Sequence, residues 1–331
     1  MNKIYNTSLY AGNSDGGIRY EYIDILKGFT IIWVLWMHMD LPELIYPSVQ
    51  MPIFFFLSGT FYHANKATFW QQVKVDTYKL LLPAVVFSLL ALFYLSLKGK
   101  LTAGGFSDII VQCLSASIVW FLLALFYFRT IAYVCVKKAQ QMVVMLIALV
   151  IYVPGFYLYA NNYFWVLPFF PLSHMGVFMI WFAVGLLYGE YIIKLIANPQ
   201  LFTTRMCVLL TFVYVFLVHC LDWDSGLLVY IPWLAYGFPY TLGVIFVMLL
   251  AACHLYKITC FRLFTNILAY VGKNSIVVYL THWPLWMYVF KPLGWNPYIS
   301  FMTIVVLEFP LIYLLNHYLP WCIGKTYKNN L

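Results

Sequence analysis

Residues 23–39 read IDILKGFTIIWVLWMHM, an apolar run of the length that crosses a bilayer as one helix. Within it stand the ionisable residues Asp24, Lys27 and His38. Lys27 and His38 are eleven positions apart, so a helix with about 3.6 residues per turn carries them on one stripe, about 16 Å apart along its axis. Asp24 lies one turn before Lys27, close enough to neutralise it. Because ionisable groups are costly in hydrocarbon, these three side chains are predicted to belong to a functional site.

Structural interpretations of the same residues stay open. A histidine near a helix end is compatible with a position at the membrane interface, and the long side chain of Lys27 can extend to the inner surface. Asp24 and Lys27 can also form an ion pair whose role is only structural. The shared stripe favours the functional interpretation.

The composition of the chain excludes a water-soluble fold. Of its 331 residues, 64% are hydrophobic and 9% are charged, whereas soluble domains carry about 25% charged residues. The mean hydropathy is +0.85. These values predict an all-α, multi-pass membrane bundle. Residues 1–19 are polar and lack the apolar core of a signal peptide, so they are predicted to form a cytoplasmic segment ahead of an uncleaved first span.

Apolar runs separated by proline, glycine and charged clusters predict ten spans. They cover residues 21–39, 46–64, 79–97, 112–133, 141–160, 172–193, 205–221, 228–256, 268–290 and 297–319. With the N-terminus in the cytoplasm, fifteen Lys and Arg residues fall on the inner side, while Lys98, Lys100 and Lys291 fall outside and Lys27 is embedded. This excess follows the positive-inside rule and puts both termini in the cytoplasm. The net charge of +8 is therefore read as a topology signal, and no nucleic-acid partner is expected.

Two of the predicted spans contain features that are unusual for a simple membrane helix. The second has Pro47 and Pro52 at its start, and the pair Ser58-Gly59 is predicted to interrupt it. A broken helix is tolerated where protein or a cavity covers the freed backbone. The last span carries Glu308 in its middle, two residues before a proline. An embedded carboxylate is costly, so Glu308 is predicted to face the bundle interior.

A second group of polar residues lies at the start of the ninth predicted span. Ser275, Tyr279 and His282 stand at offsets of 0, 4 and 7, so they share one helix face. Residues 272–275, which read GKNS, suit a helix N-terminus, whose free N–H groups bind anions. The same residues are also compatible with a purely structural role, in which they cap the helix and make polar contacts with neighbouring helices.

Basic residues also cluster around the start of the third predicted span. They are Lys66, Lys74 and Lys79, and together they are able to hold phosphate groups. Ordinary positive-inside charge accounts for them equally well. The seven cysteines contain no CxxC pair, and no Cys/His spacing indicates a metal site.

Five stretches in order along the chain resemble acyltransferase family 3 membrane proteins. They are YIDILKG at 22–28 with ten residues between Lys27 and His38, MPIFFFLSG at 51–59, KLLLP at 79–83, WFLLAL at 120–125, and GKNS at 272–275 continuing through Tyr279 to His282. The resemblance covers nearly the whole chain, and the branch that the chain resembles most is the compact fucose 4-O-acetylase-like group. It implies a transmembrane domain over residues 20–320 with a cytoplasmic tail at 321–331.

The resemblance implies a bacterial inner-membrane enzyme that moves an acyl group from cytoplasmic acyl-CoA to a hydroxyl of a cell-envelope sugar or glycan. The acyl group is expected to be acetyl, the acceptor is free or lipid-linked, and membrane lipids surround the enzyme. Lys27 and His38 match the family's basic residue and histidine. Many members carry two arginines three residues apart at the start of the third span. Here Lys79 matches the second and Asp76 stands at the first, so Lys74 is the candidate substitute.

Roles for the candidate residues follow from the chemistry of acyl transfer. A sugar hydroxyl is a weak nucleophile, so a base must remove its proton, and His38 is predicted to be that base. Ser275, Tyr279 and His282 are candidate donors to the developing oxyanion. Lys27, Lys79, Lys74 and Lys273 are candidates for holding the cofactor, with Asp24 orienting Lys27. The sequence shows no serine accompanied by a histidine and an aspartate in the pattern of a nucleophilic triad. Direct transfer is therefore preferred over a covalent acyl-enzyme.

Two other classes of protein remain as alternatives. A transporter or flippase for a lipid-linked sugar would use the polar stripe as a substrate or proton path. Against it, the chain shows no convincing inverted repeat, which is the usual sequence support for a transporter. A noncatalytic membrane scaffold would have little need of an ion pair in lipid.

Overall fold

The computed structural model describes residues 10–14, 17–39, 41–42, 49–63, 68–97, 120–138, 140–161, 172–197, 206, 209 and 238–325. Among these, the regular elements outside one short hairpin are helical. The hairpin consists of β1 (Tyr10–Ser14) and β2 (Gly17–Tyr20), which pair antiparallel. Strand β2 leads directly into the first helix.

The helices are α1 (Glu21–His38), α2 (Gln50–Thr60), α3 (Phe69–Asp76), α4 (Leu82–Leu97), α5 (Trp120–Lys138), α6 (Gln141–Ala160), α7 (Leu172–Ala197), α8 (Phe238–Lys257), α9 (Arg262–Lys273), α10 (Ser275–Leu285) and α11 (Pro297–His317). A π turn, Thr77–Leu81, joins α3 to α4, and a second, Trp286–Phe290, follows α10. Shorter 3-10 turns lie at Thr259–Phe261, Lys291–Leu293 and Pro320–Ile323.

Several of these helices are long and apolar enough to cross a bilayer, which confirms the multi-pass prediction. Within the described residues there are four, namely α6, α7, α8 and α11, or up to five if α9 and α10 form one broken span. Helix α1 has 18 residues but carries charges at its first turns. The number of ten spans and the orientation of the termini stay predictions, and apart from 206 and 209 the span predicted at 205–221 lies outside the described residues.

The predicted interruption of the second span is wrong, and the third span begins earlier than predicted. Helix α2 continues through Ser58 and Gly59 to Thr60. The third span was placed from residue 79, yet the helical run starts at Phe69, where Thr68 forms a capping box with Gln71. The π turn then carries the run into α4 without a break, because its flanking residues keep helical backbone angles.

The ninth predicted span, 268–290, is two helices rather than one. Helix α9 ends at Lys273 and α10 begins at Ser275, with Asn274 between them. The Asn274 side chain donates to the Tyr270 carbonyl at 2.9 Å, which satisfies one of the carbonyls freed at the end of α9. Gly272 and Lys273 therefore close a helix instead of opening one, and the prediction of an anion-binding N-terminus at residues 272–275 is wrong for them.

The described chain forms two compact units, the first comprising Met1–Val34, Glu43–Phe54 and Glu190–Ser275. Its central contact is between α1 and α9. A Cβ atom at Gly28 would overlap the Leu268 carbonyl, and one at Gly272 would overlap the Asp24 carbonyl. Two glycines thus let the helix backbones touch, as small residues do in membrane helix pairs.

The second unit comprises Leu35–Pro42, Phe55–Gly189 and Ile276–Leu331. Its core is aromatic, because the buried Phe55 ring contacts four others with centroid separations from 4.8 to 6.1 Å: Trp120, Phe121, Phe128 and Phe178. A Cβ at Gly59 would overlap the Phe182 carbonyl, and one at Gly185 the Phe56 carbonyl, so α2 and α7 also meet through glycine.

Candidate functional site

Two histidines meet in the second unit, where α1 ends and α10 passes. The ring centroids of His38 and His282 are 5.2 Å apart with an interplanar angle of 78°. Trp283 contacts the same His38 ring at 5.3 Å. His38, the last residue of α1, is exposed, whereas His282 is only 2% exposed. The structure therefore brings the predicted base beside a second imidazole that is closed off from its surroundings.

The hydrogen bond of His282 defines its tautomer. Its Nδ1 lies 2.8 Å from the carbonyl oxygen of Val278, one turn earlier on α10. A carbonyl only accepts, so Nδ1 carries the proton, and in the neutral ring Nε2 carries a lone pair. Among the described residues, Nε2 has no hydrogen-bond partner. His282 thus presents a buried acceptor, and in this form it does not suit the role of oxyanion donor.

Ser275 and Tyr279 lie on the same helix as His282, as predicted from their spacing. Ser275 opens α10 and is half-buried, while Tyr279 is buried. The Tyr279 ring lies 5.5 Å from that of Phe121 on α5 and 6.1 Å from that of His282. Both side chains carry a hydroxyl group that can donate a hydrogen bond, so both stay candidate donors to the oxyanion.

Asp24 and Lys27 occupy the first unit, one turn apart on α1. Asp24 is 5% exposed, and Lys27 is half-buried. On one side, Gly272 of α9 lies directly against the Asp24 carbonyl. Lys273 follows at the end of α9 and is exposed. Asp24 and Lys27 therefore stand on consecutive turns of one helix face, beside the point where α1 and α9 touch.

The predicted cofactor lysines of the third span are separated along a bulged helix. Lys74 lies on α3 and Lys79 in the π turn, and both are exposed, while Lys66 lies outside the described residues. The C-terminal turn covers the backbone at this point. Gly324 has φ of 68°, and a Cβ there would lie 2.7 Å from Lys79 Cα. The π turn with Lys79 thereby packs against the 3-10 turn at Pro320–Ile323 and the glycine that follows it.

Asp76 organises a polar cluster that the sequence did not reveal. It is 1% exposed, and Arg129 on α5 donates from Nε to its Oδ1 at 2.8 Å. Gln72 donates to Oδ2 at 2.8 Å, and the Arg129 guanidinium lies 5.0 Å from the Tyr62 ring centroid. The signal was present, because one acid within a basic segment predicts a cationic partner. The spacing alone did not show which one.

Glu308 faces the protein interior, as predicted. It is 2% exposed, and both of its oxygens lie 2.8 Å from the hydroxyl of Thr281 on α10. The same hydroxyl lies 2.8 Å from the Val277 carbonyl. Thr281 directly precedes His282, so this contact fixes the stretch of α10 that carries the histidine.

Comparison with known proteins gives one result for this chain. The sequence model of a family described as Acyltransferase domain matches residues 20–324. No curated protein and no solved structure matches the chain. The matched range includes every candidate residue described above.

Proposed function

The chain belongs to acyltransferase family 3, and from that premise we propose that it transfers acetyl from cytoplasmic acetyl-CoA to a hydroxyl of a cell-envelope sugar or glycan. The acceptor is a polymer or a lipid-linked sugar, and the enzyme works in the bacterial inner membrane. The observation that carries the proposal is the position of His38. Its ring is exposed at the end of α1, where an acceptor hydroxyl can reach it, and an imidazole exchanges protons near neutral pH.

The reaction balances with His38 as the base. His38 takes the proton of the acceptor hydroxyl while that oxygen attacks the thioester carbonyl carbon. Collapse of the tetrahedral intermediate breaks the carbon–sulfur bond. The thiolate leaves and receives the proton from His38, so the products are an acetyl ester and free CoA. Ser275 and Tyr279 are the candidate donors to the oxyanion, and no acyl-enzyme is needed.

The phosphates of the donor require cations, and lysines supply them in this proposal. Lys79 and Lys74 present exposed ammonium groups in the second unit and are the proposed phosphate contacts. Arg129 is engaged with Asp76, so that pair has no net charge to offer a phosphate. Lys27 is assigned to the pantetheine path, with Asp24 beside it on the same turn to orient it.

The test is acetyl transfer in membranes. Membrane vesicles containing the wild type, given radiolabelled acetyl-CoA, are expected to acquire label in their glycan fraction. His38→Ala is expected to reduce the labelling by at least about 100-fold, since a positioned base contributes about that much or more. The matched control is His63→Ala, because His63 is an exposed histidine after α2.

Both variants are first checked for equal insertion and thermal stability. Full labelling by His38→Ala would remove His38 as the base. A wild type that moves a lipid-linked sugar without consuming acetyl-CoA would instead establish the transporter alternative.

A further inference from the structure

The buried lone pair on His282 requires an explanation that the proposed reaction has not yet supplied. A polar atom that loses water without gaining a partner costs about 1–3 kcal/mol. His282 Nε2 is in that position among the described residues, while Nδ1 is held by Val278. The helix therefore keeps a fixed acceptor at a cost to stability. Such a group is explained if a donor reaches it in another state of the protein.

Two rings stand close enough to supply that donor. The His38 ring centroid is 5.2 Å from that of His282, and the Tyr279 centroid is 6.1 Å away. A separation of 5.2 Å between two imidazoles leaves room for one hydrogen bond between ring edges and no intervening group. Tyr279 is on the same helix as His282 and packs on Phe121, whereas His38 is the last residue of α1 and is exposed.

We propose that His282 is a positioning residue whose Nε2 accepts a hydrogen bond from a ring N–H of His38 in the reacting state. This inference rests on the proposed function, because it assigns a cause to the orientation of the base. One nitrogen of His38 donates to His282, so its other nitrogen is left with the lone pair that the acceptor hydroxyl needs. When His38 gains the proton, the same bond stabilises the imidazolium.

The first test uses two variants that separate the ring nitrogens. His282→Asn keeps an amide near the Nδ1 position, with its contact to Val278, and removes the acceptor at Nε2. His282→Gln places an amide oxygen near the Nε2 position. We expect His282→Asn to lower kcat for acetyl transfer to glycan in inner-membrane vesicles by about 100-fold with KM for acetyl-CoA unchanged. The Gln variant is expected to recover about tenfold of that loss.

His254 provides the matched control. Its Nδ1 lies 3.0 Å from the Leu250 carbonyl, so it makes the same one-turn contact on α8 that His282 makes on α10. His254→Asn is therefore expected to keep kcat within about twofold of the wild type. A His282→Asn enzyme with the kcat of the wild type would overturn the inference, and so would an equal loss in His254→Asn.

The second test does not depend on activity. Nitrogen-15 NMR of histidine-labelled protein in lipid vesicles reports which ring nitrogens carry protons, with His282 assigned by the loss of its signals in His282→Asn. We expect a protonated Nδ1, a bare Nε2, and an Nε2 signal that shifts in His38→Ala. A proton on Nε2, or a signal that responds to Tyr279→Phe and not to His38→Ala, would overturn the inference.

The two tests also separate failure of the inference from failure of the proposed function. If the wild type transfers no acetyl group, the proposed function fails, and the NMR experiment alone decides whether the imidazoles contact each other. If the wild type and His38→Ala differ as expected while His282→Asn has normal kcat, only the inference fails.

Discussion

At Asp76, one carboxylate holds two neighbouring side chains in place. Its oxygens accept from Arg129 and Gln72, and Arg129 in turn lies over Tyr62, whose hydroxyl donates to the Arg129 carbonyl at 3.1 Å. The cluster joins α3, α5 and the residues that follow α2 at one place. Charge-assisted bonds of this kind are stronger than neutral ones, and removing one partner leaves the other charge unpaired.

The first prediction concerns this pair. Asp76→Ala is expected to destabilise the protein by about 2 kcal/mol, less than a fully buried pair would lose, because the Arg129 side chain is 25% exposed. Arg129→Met combined with Asp76→Ala is expected to cost less than the sum of the single changes. Thermal unfolding in detergent measures all three variants. Additive losses would show that the two side chains do not depend on each other.

At the scale of the elements, glycines decide where helices meet. Membrane helices lack a hydrophobic force between them, so their pairing depends on close van der Waals packing. Gly28 and Gly272 provide it between α1 and α9 in the first unit, and Gly59 and Gly185 between α2 and α7 in the second. In both pairs a carbonyl of the facing helix occupies the space that a side chain would need.

The second prediction tests one of these contacts. Gly272→Ala is expected to destabilise the protein by about 2 kcal/mol or more, because the added methyl overlaps the backbone carbonyl of Asp24, which moves only if the helix shifts. Gly243→Ala on α8 is the matched control, since a Cβ at Gly243 meets nothing within 4 Å. That change is expected to be neutral or stabilising by about 1 kcal/mol. Equal unfolding midpoints for the two variants would contradict the contact.

The helices were predictable from sequence where apolar runs are long, and less so where packing decides the boundary. Helix α11 agrees closely with the predicted span because its run is apolar and Asn296 caps its start. The division at Asn274 was missed because apolar residues continue on both sides of it. Gly59 was misread as a helix breaker, since hydropathy does not reveal that a facing carbonyl requires a glycine there.

The candidate site was predictable in its residue types but not in its pairings. His38 and Lys27 stand out because ionisable groups are rare in apolar runs. The contact of His38 with His282 depends on the approach of two helices that are distant in sequence. The tautomer of His282 depends on a hydrogen bond that only coordinates reveal. The pairing of Arg129 with Asp76 likewise depends on the approach of two helices, α3 and α5.

At the scale of the whole molecule, charge asymmetry gives the third prediction. An alkaline phosphatase reporter fused after Lys100 is expected to be active, because that loop is predicted to lie outside and the enzyme folds only in an oxidising compartment. A fusion after Lys138 is expected to be inactive. The reverse pattern, with equal expression of both fusions, would invert the predicted topology.

The contact of Gly324 with the π turn bears on how the protein should be handled. Tyr78 donates to the Lys325 carbonyl, and Gly324 adopts a left-handed backbone against Lys79. An affinity tag joined directly at Lys325 is expected to disturb these contacts with the π turn, which carries the candidate cofactor residue Lys79. A flexible spacer between Lys325 and the tag is expected to leave the contact of Gly324 with Lys79 intact.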